Sequence, residues 1–276
     1  MEVRYSPDPV RFERMTTEEI RRHFLIESLF EPEAIRMVYC DIDRVIVGSA
    51  APAGRPLSLQ NADELRAEFF CQRRELGVLN AGQAGTITVD DNKFRMGHLD
   101  GLYIGKGSKS IGFESDRADL PALFYLVSYP AHAEYPTSHI SKSQAAPVQL
   151  GSVEKANKRT IFKYIHPDGV KSCQLVMGFT ELAQGCVWNT MPPHTHQRRM
   201  EVYMYFGFAQ TDRVFHLMGK SDQTRHIIMM QQQAVLSPSW SIHSGVGTTA
   251  YSFCWAMGGE NQAFDDMDHL SIEQLK

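Results

Sequence analysis

From about Gly77 to the C-terminus the chain is a succession of short runs rich in Val, Ile, Tyr and Phe, each cut by Gly, Asp, Asn or Pro. β-branched and aromatic residues suit a pleated, half-buried surface, and the interrupting residues are those that turns demand. GTITVDDNKFRMG (85–97) reads as strand, Asp-Asp-Asn turn, strand, and LYIGKGSKSIGFES (102–115) repeats the pattern. A third run, PALFYLVSYPAHAEYP, closes this block. TIFKYIHPDGVKSCQLVMGFTEL (160–182) then reads as a hairpin around Pro167-Asp168-Gly169, with further strands at CVWNTM, EVYMYFGF, RVFHLMG, HIIMMQQQAVLSP and YSFCWAMGG. Many short strands at close spacing with few helices define an all-β barrel or sandwich.

Helical signals are confined to the first quarter. Thr16-Thr-Glu-Glu19 is a capping box ahead of a segment in which Ile20, Phe24 and Leu25 share a face. NADELRAEFF, with Asn61 as N-cap, is the second expected helix. The polar, aperiodic stretch around 141–158 reads as a linker. The 276 residues then divide into an N-terminal β-domain (1–140), the linker, and a C-terminal β-domain (159–276), each large enough to hold its own core. LDGLYIGKGSKSIGF and LFYLVSYPAHAEYP faintly echo MEVYMYFGF and YSFCWAMGGENQAFDD, which suggests two related domains in tandem.

The chemistry concentrates in HTHQRRMEVYMYFG (194–207). Alternate strand residues share a face, so His194 and His196 point the same way. Glu201 lies at an odd offset from them, so a turn or bulge must intervene if all three are to converge. A fourth candidate, His243, follows Pro238 by five residues. Three imidazoles and one carboxylate suit Zn, Mn, Fe or Ni, and such a set leaves coordination positions open for catalysis. His98, His132, His139, His166, His216, His226 and His269 lack comparable spacing and read as satisfied or exposed residues.

Composition narrows the partners. A net charge of -4 provides no global basic field for nucleic acid or an anionic membrane, yet leaves small anionic substrates open. The N-terminus carries no apolar run like a signal peptide, and no stretch approaches the ~20 apolar residues of a membrane span. The five cysteines are scattered and form no CxxC pair, so a disulfide framework or thiolate zinc site is not expected and a cytoplasmic setting is simplest.

The pattern His194-x-His196-x4-Glu201-x5-Gly207, followed by Pro238-x4-His243, resembles the two metal-binding motifs of the cupin superfamily, although Trp240 stands where the second motif has glycine. This resemblance implies two tandem jelly-roll barrels with a few short, mainly N-terminal helices, the first barrel lacking a metal. At the place equivalent to the HxH…E run the first half has GHLDGLYIGKG. RTIFKYIHPDG, SCQLVMGFTEL, VWNTMPPHTHQRRMEVYMYF and RRELGVLNAGQAGTITVD together resemble the 5-keto-4-deoxyuronate isomerase family over nearly the whole chain.

That family resemblance implies a cytoplasmic hexamer with one divalent metal per chain, zinc foremost with Mn, Fe or Ni as alternatives, held by His194, His196, Glu201 and His243. It implies a ketol-isomerase converting 5-dehydro-4-deoxy-D-glucuronate into 3-deoxy-D-glycero-2,5-hexodiulosonate in pectin and uronate breakdown. A sugar carboxylate calls for a cation, and Arg199 and Arg198 are the first candidates, with Lys163 and Gln174 next. No residue stands out as general base. Tyr203 shares the strand parity of Glu201 and is a candidate pocket residue. An iron-dependent cupin dioxygenase or a non-enzymatic sugar-binding bicupin are the rival readings.

Overall fold

Val89 and Asn92 face each other across Asp90-Asp91, so the first expected hairpin forms as a two-residue turn, with Asp90 at a positive φ of 51°. Such turns need the left-handed region, which Asp tolerates better than most residues. The second expected hairpin does not form. Gly101–Ile104 pairs with Arg74–Asn80 and Ser138–Ile140, whereas Ile111–Ser115 pairs with Gly85–Val89 and Leu57–Ser58, in a different sheet. The Gly105–Ser110 connection therefore carries the chain from one sheet to the other, an arrangement that local turn chemistry does not distinguish from a hairpin.

The structure is a computed structural model describing residues 1–263 and 265–276. It comprises two compact units, each built from a seven-stranded and a four-stranded sheet. The first unit holds Met1–Arg4, Ser28–Ala146 and Lys163–Met177; the second holds Tyr5–Glu27, Pro147–Phe162 and Gly178–Lys276. The units thus exchange segments relative to a simple split at 140 and 159. The N-terminal helical segment clusters with the C-terminal unit, and the connection inside the 160–182 hairpin clusters with the first. The stretch read as a linker also contains a strand, Ala146–Leu150.

Strand by strand the two units repeat one topology. In the first, the large sheet runs Glu2–Arg4, Ile35–Cys40, Ile46–Ala50, Phe124–Pro130, Arg74–Asn80, Gly101–Ile104, Ser138–Ile140. In the second it runs Ala146–Leu150, Arg159–Ile165, Val176–Leu182, Ser252–Gly259, Arg199–Phe206, Ala234–Ser237, Leu25–Ile26. Arg74 faces Pro130 as Arg199 faces Gly259, and Leu76 faces Ile104 as Glu201 faces Ser237. The counterpart of the Glu201 strand is therefore Arg74–Asn80. The GHLDGLYIGKG stretch that the sequence matched to it instead corresponds to Ala234–Ser237. Leu76, Val78, Leu102, Ile104, Phe113 and Phe124 form part of the buried core of the first unit.

The N-terminal helix Thr17–Phe24 has the expected capping box, with Thr16 and Glu19 satisfying each other's backbone N–H groups. Its buried Ile20 and Phe24 and the following strand Leu25–Ile26, which pairs with Ala234–Ser237, buttress the second barrel. NADELRAEFF does not make a helix. It forms separate 3-10 turns at Asp63–Leu65 and Phe70–Gln72, with Arg66 at a positive φ of 45° between them. The Asn61 side chain donates to the Ala67 carbonyl rather than capping a first turn, one way in which Asn competes with helix.

Candidate metal centre

Alternation on four adjacent strands of the second unit turns a mixed set of polar and apolar side chains into the barrel. Arg199, Glu201 and Tyr203 from one strand, Phe253, Trp255 and Met257 from the next, Thr180 from the third and Arg159 and Ile161 from the fourth all line a cavity of about 400 Å³. Where a strand contributes more than one residue they are alternate ones, as a pleated strand requires. The C-terminal tail adds Met267, His269 and Leu270, and His269 pairs with His194 in a two-stranded ribbon.

The strand offset between the histidines and the glutamate is resolved as the sequence requires. The extended pair His194–Thr195 ends before a turn, and Arg199–Phe206 begins after it. The Arg199 N–H reaches back to the His196 carbonyl at 3.4 Å, and His196 Nδ1 lies 2.8 Å from the Arg199 carbonyl. The Nδ1–H donates to that carbonyl, which fixes the ring and turns Nε2 toward Glu201 and the cavity. His243 arrives from a separate turn, in which the Ser241 N–H donates to the Pro238 carbonyl at 2.9 Å. Trp240, at the place of the cupin glycine, packs edge-on against Phe12 and Phe24, with ring centroids 5.2 and 6.5 Å away. The departure from the motif thus serves the N-terminal buttress and leaves His243 in place.

His194, His196, Glu201 and His243 converge. His243 Nε2 lies 2.9 Å from His194 Nε2 and 3.0 Å from a Glu201 oxygen, which is 3.1 Å from His196 Nε2. Adjacent donors ~2.1 Å from a common ion sit ~3.0–3.4 Å apart, so the spacing fits a shared divalent cation. Two neutral imidazole nitrogens facing each other at 2.9 Å also repel unless a proton or cation stands between their lone pairs. Burial, reinforced by His243, pushes His194 down to about 2, which keeps it a neutral donor. Burial alone would raise the Glu201 carboxyl, but His243 and the hydrogen bonds from His196 and His243 outweigh it and hold the group ionised. Burial opposes the charged form of His196 as well, and there the bond to Glu201 wins and raises it. A neutral His194 beside an ionised Glu201 carboxylate matches the protonation states that metal ligation needs, and a bound cation would displace the proton that His196 shares with Glu201.

Of the four expected substrate contacts, only Arg199 lines the cavity, and it is already committed. Its guanidinium is buried, paired with Asp266 at 2.6 Å and bonded to the Asn261 side chain at 2.8 Å. Arg198 pairs with Asp266 at 3.3 Å and Asp268 at 3.1 Å. The two arginines clamp the C-terminal tail, a long-range role that adjacency to the ligands does not reveal. Lys163, on the Arg159–Ile165 strand, and Gln174 are not among the cavity residues, and the Gln174 N–H donates to Glu75. Residues that the sequence reading left aside do line the cavity, among them Arg159, Thr190, Trp255 and His269. Strand parity with Glu201 on the neighbouring strands was the available signal for Trp255 and Arg159, but it needs the sheet order to be used.

These features define a double-barrel cupin-type protein with, among the described residues, one candidate His₃Glu metal centre, in its second unit. The chain belongs to the KduI/IolB family, whose model matches residues 25–272. It is 53% identical over 276 residues, all of both chains, to a Caldicellulosiruptor bescii protein named 4-deoxy-L-threo-5-hexosulose-uronate ketol-isomerase. It is 54% identical, again over the full length of both, to the protein of that name from Lachnoclostridium phytofermentans. Among solved structures, an IolB-like protein from Salmonella typhimurium has the same fold, with a TM-score of 0.71 at 14% identity over 90% of this chain and 96% of that one. Bacillus subtilis oxalate decarboxylase is a more distant fold relative, with a TM-score of 0.56 at 9% identity over 82% of this chain and 71% of that one.

Proposed function

We propose that the protein is a metal-dependent ketol-isomerase that converts 5-dehydro-4-deoxy-D-glucuronate into 3-deoxy-D-glycero-2,5-hexodiulosonate. The observation that carries this reading is the convergence of His194, His196, Glu201 and His243 on one cavity, in a chain about half identical from end to end to proteins named for that reaction. The reaction moves a proton from C2 to C1 through an enediol. A divalent ion held by these four side chains, zinc or a similar metal, would supply the Lewis acid that acidifies the C2 proton and stabilises charge on the adjacent oxygens.

The chain's own groups supply the rest. Trp255 and Phe253 give the cavity flat apolar walls, and Trp255 is fixed by its N–H bond to the Thr180 hydroxyl at 3.2 Å. The Tyr203 hydroxyl is 3.3 Å from that of Thr190. Burial raises the Tyr203 phenol well above its ordinary value, so it offers a proton to hydrogen-bond rather than an oxyanion. The C-terminal tail, clamped by Arg198 and Arg199, lines one side of the cavity with Met267, His269 and Leu270. A cytoplasmic hexamer acting in pectin and uronate breakdown completes the proposal, supported by the family resemblance; no described helix is long and apolar enough to cross a membrane.

The test is metal content together with turnover of that uronate, before and after chelation. About one divalent ion per chain, with activity lost on chelation and restored by zinc or manganese, is the expected result. Bound metal without turnover would sink the assigned reaction and make oxygen uptake the next assay.

A further inference from the structure

Two arginines line the cavity, and the structure treats them differently. Arg199 is neutralised by Asp266 and bonded to Asn261. Arg159 opens the strand Arg159–Ile165, is partly buried, and donates a hydrogen bond from Nη1 to the Asn157 carbonyl at 2.9 Å. No carboxylate among the described residues is placed in an ion pair with it. Burial accordingly pulls the guanidinium below its ordinary value, with only the Tyr203 and Tyr251 hydroxyls acting the other way.

A guanidinium taken partly out of water without a counter-ion costs free energy that an anionic ligand would recover, and its planar fork suits a carboxylate. Asn157 occupies one nitrogen and leaves the other donors of the fork to the cavity. The position is also suitable. Arg159 shares the cavity with the metal-type cluster, on a strand separated from the Glu201 strand by two intervening strands. A sugar acid presenting its carbonyl end to the cluster would carry its carboxylate away from it, and a cavity of about 400 Å³ lined by both has room for a six-carbon ligand.

We infer that Arg159 is the anchor for the substrate's carboxylate, and so the residue that makes the site select acid sugars over neutral ones. The inference rests on the isomerase reading for the identity of the substrate, but not for the choice of residue. It assigns Arg199 and Arg198 to holding the tail.

The experiment compares wild type with Arg159→Met, which keeps length and loses charge, and Arg159→Lys, which keeps charge and loses the fork. Two readouts are taken. The first is kcat/KM for 5-dehydro-4-deoxy-D-glucuronate and for its analogue with hydroxymethyl in place of the carboxylate. The second is calorimetric binding of D-glucuronate and D-glucose to the metal-loaded protein. Arg159→Met should lower kcat/KM for the acid roughly 100-fold, mainly through KM, and leave the neutral analogue within about threefold. Arg159→Lys should recover about a tenth of the wild-type value, and glucuronate binding should weaken in step while glucose binding does not change.

Equal losses on acid and neutral ligands would make Arg159 merely structural, and no loss on either would remove it from the site; each overturns the inference. A wild type that fails to turn over the uronate, yet binds glucuronate in an Arg159-dependent way, would sink the reaction and keep the anchor. Turnover that is indifferent to Arg159 would do the reverse.

Discussion

Each barrel buries one glutamate in the same strand of its large sheet, and the two acids have opposite fates. Glu75 and Glu201 are 0% and 5% exposed, but the sheet register sets them one residue apart, so they occupy opposite faces of equivalent strands. Glu75 is surrounded by fixed donors: the N–H groups of Cys173, Gln174 and Leu175 at 2.7, 2.7 and 2.8 Å and the Tyr103 hydroxyl at 2.8 Å. Glu201 meets two imidazole nitrogens, which converge with a third. At the rung of Glu201 the first barrel has Leu76, packed in its core. A buried carboxylate is thus structural where backbone donors saturate it and chemical where titratable donors leave room for a cation; burial alone does not separate the two.

Exchanging the two rungs is the strongest way to break this comparison. Glu201→Leu should abolish uronate turnover, by at least ~10³-fold, and take bound metal from about one ion per chain to none. Its melting temperature in chelator should be equal or higher, because a buried charge has been replaced by an apolar side chain. Leu76→Glu should be destabilised by several kcal/mol, since it places a carboxylate without donors among Val78, Leu102 and Ile104. Metal analysis of any soluble Leu76→Glu protein should still find one ion per chain. A second ion would show that the first barrel needs only the acid to become a metal site.

Glu75→Leu is the next largest effect. Removing that carboxylate orphans three N–H groups, two part-buried and one buried, and a buried tyrosine hydroxyl, at a cost of ~3–5 kcal/mol and about a 10 °C fall in melting temperature. Metal content and KM of the folded fraction should be unchanged. Loss of metal on this substitution would mean that the two acids are coupled and that the contrast between them is wrong.

The acid limb of stability sharpens the same contrast, because the second barrel holds a buried histidine beside its site. His216 is fully buried, with its ring nitrogens 2.8 Å from the Tyr205 hydroxyl and 3.2 Å from the Ser237 hydroxyl. Burial, with His243 adding to it, pushes His216 down from the usual 6.5 to about 3. Below pH 6.5 the unfolded chain takes up a proton that the folded chain refuses, so the native state is progressively disfavoured as pH falls from about 6.5 toward about 3. From pH 7 to 5 that amounts to ~2 kcal/mol. Urea unfolding of the chelated protein should lose that much more stability over the interval in wild type than in His216→Gln. Equal slopes would show that His216 is not held neutral.

Much of this molecule was legible in its sequence, and the gaps have physical causes. The convergence of His194, His196, Glu201 and His243 could be read because spacing along two segments encodes it, and even the required turn before Glu201 followed from side-chain alternation. The hairpin at Asp90-Asp91 was legible for a similar reason: the turn is a local event. The sheet change between Ile104 and Ile111 was not, because local turn residues do not say which sheet receives the next strand. The role of Arg199 depends on Asp266 and Asn261, more than sixty residues away. Arg159 was hidden because its place in the cavity follows from the order of strands, which no single segment carries. The Trp240 departure could be seen but not understood until Phe12 and Phe24 stood beside it.

The smallest predicted effect tests whether that N-terminal addition, absent from the first barrel, is a buttress or part of the chemistry. The Thr16 hydroxyl accepts the Glu19 N–H at 3.3 Å and caps the helix that presents Phe24 to Trp240. Thr16→Ala should lower unfolding free energy by ~1 kcal/mol and leave kcat and metal affinity unchanged, because His243 is fixed by its own turn from Pro238 and not by the helix end. Denaturant unfolding and metal titration of the same preparation decide the matter. A variant of nearly full stability with weakened metal binding would show that the helix communicates with His243 through Trp240. The glycine position of the motif would then be a control point for the site rather than a packing substitution.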